Sequence, residues 1–111
     1  MTAAWIQEFP AAITVCDNRG IITAMNKKSA LLFAKSGGYE LIGKSLLDCH
    51  PPEAQEMIKN MLITQRDNHY ISEKEGSKKL IIQSPWYEGN QFMGLVEIVK
   101  ELPDDLPVYH R

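Results

Sequence analysis

The chain has 111 residues, 44% of them apolar, and a net charge of −2. That is one domain with material for a single core, which argues against disorder, and its scattered lysine pairs argue against a nucleic-acid partner. Two cysteines are too few for a disulfide scaffold, no basic segment precedes an apolar run at the N-terminus, and the apolar runs fall short of a membrane span; the expected chain is reduced, cytoplasmic and free of signal peptide and membrane.

Residues 3–9, "AAWIQEF", place Trp5, Ile6 and Phe9 on one side of a short helix that Pro10 ends. "AAITVCD" (11–17) alternates as a strand, "DNRG" has turn chemistry, and "IITAMN" (21–26) reads as the second strand of a hairpin. Asn26 is a good N-cap for "KKSALLFAKS", and Gly37-Gly38 stops that helix. "YELIGKS" reads as a helical turn closed by Gly43.

The clearest period lies in residues 53–66, where Ala54, Met57, Ile58, Met61, Leu62 and Gln65 fall on one helical face. Pro51 and Pro52 suit its first turn, and Glu53 and Glu56 its positive end. Met57, Ile58, Met61 and Leu62 are expected against the sheet, with Glu56 and Lys59 in solvent. Strands follow at 69–75, 78–88 and 91–102, separated by Gly76-Ser77 and Gly89-Asn90 and closed by Pro103. Pro85 demands an edge or a bulge. Residues 1–10 read as a capping or dimerisation helix, 11–102 as the domain and 103–111 as an extended tail.

The expected fold is α+β. Its five-stranded antiparallel sheet has two strands, a helical middle and a three-strand meander, with helices on one face. Three motifs carry a family resemblance. "GIITAMN" (20–26), "LIGKSLLDCHPPE" (41–53) and "FMGLVEIVKEL" (92–102) resemble, in order, the second strand and cap, the turn before the long helix, and the closing strand of PAS domains. "CHPP" (49–52) resembles a PAS subgroup found beside hemerythrin-like domains. The resemblance covers residues 9–102. It implies a sensor or interaction module with a cavity between sheet and helices, and it chooses no ligand.

Cys49 and His50 are the sharpest candidates. Adjacent residues on a regular element do not point the same way, so a nucleophile–base dyad is geometrically awkward. Cys16, Cys49, His50, His69 and His110 show no paired metal spacing. The stretch around Cys49 does not match the flavin-linking cysteine of light-sensing PAS relatives. Haem is the specific alternative, with His50 or Cys49 as axial ligand. The plainer reading is a loop-to-helix junction: Pro51 holds His50 extended, its ring lies near the first-turn amides and Glu53, Asp48 offers a capping oxygen, and Cys49 turns into the core from the opposite side. Phe33, Met57, Met61, Leu62, Trp86 and Phe92 complete the pocket candidates. Strand 91–102 is apolar on both faces, with Phe92, Val96 and Ile98 on one and Met93, Leu95 and Val99 around Glu97 on the other. Its outer face therefore needs a cover, for which Trp5, Ile6 and Phe9 are candidates within the chain or across a homodimer.

The reading is a stand-alone, non-enzymatic PAS module that signals through dimerisation or contact with an unidentified signalling protein. The alternative is a haem or small-metabolite sensor using the cavity near Cys49 and His50.

Overall fold

A computed structural model describes residues 3–111. Helix α1 (Ala4–Glu8) precedes strands β1 (Ala12–Cys16) and β2 (Ile22–Met25). Helix α2 (Lys27–Leu32) and three 3-10 turns, Ala34–Ser36, Gly38–Leu41 and Leu46–Cys49, form the helical middle. Helix α3 (Pro52–Thr64) leads into β3 (Asn68–Lys74), β4 (Ser77–Glu88) and β5 (Gln91–Leu102). The expected α+β architecture is the one observed: an antiparallel sheet in the order β2-β1-β5-β4-β3, with chain ends in the centre.

Local chemistry explains the joints. Asp17 Oδ1 accepts from the backbone amides of Arg19 and Ile21, closing the β1–β2 turn. Asn26 caps α2 by accepting from the Ser29 amide, and its other bonds extend further. Its Oδ1 also accepts from the Ile13 amide, while Nδ2 donates to the carbonyls of Ile6 and Ala11. A fully buried amide with four bonds thus pins α1, α2 and β1 together. Glu75 and Gly76, both at positive φ, make the tight β3–β4 turn.

The core lies between the sheet and the helical layer: Cys16, Ile22, Met25, Leu41, Leu46, Ile58, Met61 and Leu95. Ile58 and Met61 are buried as the period predicts, and Leu62 packs on the same cluster. Met57 is a correction, being 40% exposed. The helix touches the sheet through a narrow stripe, and Met57 lies at its margin over a shallow depression beside Arg66 and Asn68.

A second correction concerns Phe92. The β4–β5 register shifts between Trp86 and Tyr87, pairing Trp86 with Gly94 and Tyr87 with Phe92. The bulge breaks the alternation, and Phe92 joins the inner core with Leu95 and not the outer face with Val96. The close approach there requires Gly94, since a Cβ would stand 1.9 Å from the Cys16 carbonyl oxygen. Pro85 lies past Gln83, where β4 has lost its β3 partner, so its missing amide costs no ladder bond on that side.

Candidate functional site

The inner face of the sheet carries one polar row. Thr14 of β1 is directly opposite Glu97 of β5, Glu97 opposite Gln83 of β4, and Gln83 opposite Asn68 of β3. Thr14, Gln83 and Glu97 are all buried. Asn68 Nδ2 donates to Gln83 Oε1 at 2.9 Å, and Gln83 Nε2 donates to Glu97 Oε2 at 2.7 Å. At the β1 end, the Thr14 and Ser29 hydroxyls bond each other. Register neighbours of this kind satisfy one another where water cannot reach.

His50 meets the row from the helical side. Pro51 holds it extended, at φ −127° and ψ 148°, as the sequence predicts. Its Nε2 lies 3.2 Å from Glu97 Oε2, and its Nδ1 lies 2.8 Å from the Leu46 carbonyl oxygen. Both partners are acceptors, so both ring nitrogens donate and the ring is an imidazolium paired with a carboxylate. Burial of the ring favours its neutral form. The bonds to Cys49 and Glu97, the Glu97 charge and the Leu46 carbonyl outweigh that and push the pKa up to about 10. The Phe33 ring packs 5.9 Å away.

Three local expectations change. The His50 ring turns to Leu46 and Glu97, not to Glu53 and the first amides of α3. Asp48 is exposed and caps nothing; Pro51 stands at the N-cap of α3 and supplies no side-chain cap, and Gln55 Nε2 donates to the His50 carbonyl. Cys49 does not lie opposite His50: its Sγ is 3.4 Å from Nδ1 and donates to the same Leu46 carbonyl at 3.2 Å. The cause is that Cys49 closes a 3-10 turn, which curls its side chain back by three residues, before the chain extends at His50.

Among the pocket candidates, Met61 is in the buried core, and Phe33, Cys49, Leu62 and Phe92 pack against it. Met57 and Trp86 do not join that cluster. Trp86 sits at the bulge with its buried Nε1 unpartnered. Trp5 and Phe9 pack edge to face on each other, 67% and 42% exposed, while Ile6 is held near α2 through Asn26. Sequence reading missed Glu97 as the partner of His50, and Gln83 as the donor to the same Glu97 oxygen. Their sign was two polar residues at inward positions of otherwise apolar strands. Cys16 is inert: burial pushes its thiol up to about 11. Among the described residues, no cluster of three His, Cys, Asp or Glu could hold a metal ion.

No protein-family model and no curated protein matches the sequence. Solved structures do. The chain resembles a PAS domain from Colwellia psychrerythraea at TM-score 0.66 and 20% identity, covering 88% of this chain and 91% of that one. The fold is that of a PAS domain. It also resembles the PAS domain of Bordetella pertussis BvgS, at TM-score 0.67 and 17% identity over 88% of this chain and 81% of that one. A third likeness is to the Vibrio cholerae Aer2 receptor, a dual PAS-haem oxygen sensor, at TM-score 0.60 and 14% identity over 84% and 95%. In the present PAS fold His50 does not fit an axial haem ligand, because its Nδ1 is held by the Leu46 carbonyl and its Nε2 by Glu97, so neither ring nitrogen is turned to a cofactor. Cys49 Sγ is tied into the same turn.

Proposed function

We propose that this PAS domain is a sensory and protein-interaction module of cytoplasmic signal transduction, acting by contact and not by catalysis. The observation that carries the reading is the polar row. It joins the start of α3 to three neighbouring strands, β5, β4 and β3, through paired side chains, so a shift in the helical layer reaches the sheet through bonds that must break or move together. The far side of that sheet is suited to receive a partner. Ile13, Val15, Ile82, Val96 and Ile98 share it by register and are only half-buried. A second copy on that face gives a homodimer, with Trp5 and Phe9 of α1 as additional apolar contact; an unidentified signalling protein on the same face is the other form of this reading.

The mass of the full chain in solution tests it. Sedimentation at high micromolar concentration should give a dimer, and Ile98→Lys on the outer face should give a folded monomer. A wild-type monomer that also retains no partner through this face would overturn the proposal.

A further inference from the structure

We propose that the open flank between α2 and the ends of β4 and β5 is a binding site for a small amphipathic carboxylate, an alkyl or aromatic acid. This goes beyond the interaction-module reading and does not rest on it. The flank holds a cavity of about 370 Å³ floored by Ala12 and Val99, walled by Leu31 and Leu32, and rimmed by Lys28 and Lys79. The volume is that of a small-molecule site. Leu31 is 72% exposed and Leu32 38%, an apolar wall with no cover from the described chain.

The rim supplies charge that nothing consumes. Lys27 pairs with Glu8, Lys59 with Glu56 and Lys78 with Glu73, none of which lies on this rim, although Lys78 adjoins Lys79 in sequence. Lys28 and Lys79 have no hydrogen bond or ion pair among the described residues. Lys100, also on the rim, donates to the Pro10 carbonyl at 2.9 Å. Glu101 is the one carboxylate there; it stands directly opposite Lys79 in the ladder and forms no ion pair with it. Three ammonium groups against one carboxylate leave the mouth positive. An apolar wall under two free point charges suits a carboxylate with a hydrocarbon body. It lacks the arginine fork that a phosphate head would call for.

The test uses octanoate, decanoate and decanol with isotope-labelled full-length chain, followed by amide chemical shifts. Saturable shifts should centre on residues 10–12, 28–32, 79 and 99–101. Each methylene added and buried should tighten binding up to about fourfold. Decanol should bind at least about tenfold more weakly than decanoate, as should decanoate to the Lys28→Glu/Lys79→Glu variant, whose remaining spectrum stays unchanged. Unsaturable shifts spread over the surface, equal binding of acid and alcohol, or undiminished binding by the double variant would each overturn the proposal.

Discussion

At the α3 flank of the sheet's inner face, His50, Glu97, Gln83 and Asn68 form a continuous bonded chain shielded from water. At the α2 flank of the same face, Leu31 and Leu32 stand open to solvent beside two uncommitted lysines. One flank places polar groups where apolar ones would cost nothing, and the other places apolar groups where polar ones would be the default. A buried ion pair is weak evidence of stability, since its desolvation offsets much of its attraction, but breaking it is expensive. The first flank is therefore a place where the structure resists partial change, and the second a place where change costs the fold little.

The sharpest way to break the contrast is His50→Ala. It leaves Glu97 charged, buried and short of a partner, and should cost about 3–5 kcal/mol in a denaturant melt. Replacing His50 and Glu97 together by apolar residues should recover much of that loss. If the single and double variants lose the same stability, the pair is not coupled.

Met61→Ala comes next. It empties a buried site in the core and should cost about 2–5 kcal/mol. Met57→Ala, one turn away on the same helix, should stay within about 0.5 kcal/mol. Equal losses at the two positions would mean that α3 buries a wider stripe than described.

Alkaline pH tests the ion pair without mutation. The His50 pKa is raised from 6.5 to about 10, so its stabilisation is complete below pH 6.5 and fades as pH rises towards 10. Cys16 acts with the same sign in a later window. Its neutral thiol is favoured in the fold, so the unfolded chain gains from ionising between pH 9.0 and about 11. Tyr70, raised by burial and by the Glu97 charge, adds to that late loss. Melting at stepped pH should show a decline beginning near neutrality. In His50→Gln the decline should begin only near pH 9.0; an unchanged profile would show that His50 is not charged in the fold.

Legibility in the sequence follows the range of the interactions. The element order, the Asn26 cap and the burial of Ile58 and Met61 depend on local pattern, and all were readable. Strict alternation groups Phe92 with Val96 and Ile98, but one bulge inverts the alternation and turns Phe92 to the core, as a pocket candidate should be, and a bulge leaves no mark in a run such as "QFMGLVEIV". The junction at Cys49-His50 was readable as a junction, but its chemistry was not. His50 finds Glu97 from 47 positions away, and only the register of β5 against β4 brings Gln83 to the same oxygen.

The smallest expected effect concerns the open flank. Leu31 projects from α2 at 72% exposure, so Leu31→Ala removes little packed surface, and alanine is the better helix former. The loss of residual contact and the gain in propensity are both a few tenths of a kcal/mol, and stability should move by less than about 0.5 kcal/mol in either direction. Solubility supplies a second reading. An exposed leucine that does nothing would leave it unchanged, whereas one belonging to an apolar contact surface should raise it on removal. A destabilisation of Leu31→Ala comparable to that of Met61→Ala would show that the α2 flank closes in solution, and the contrast between the two flanks would disappear.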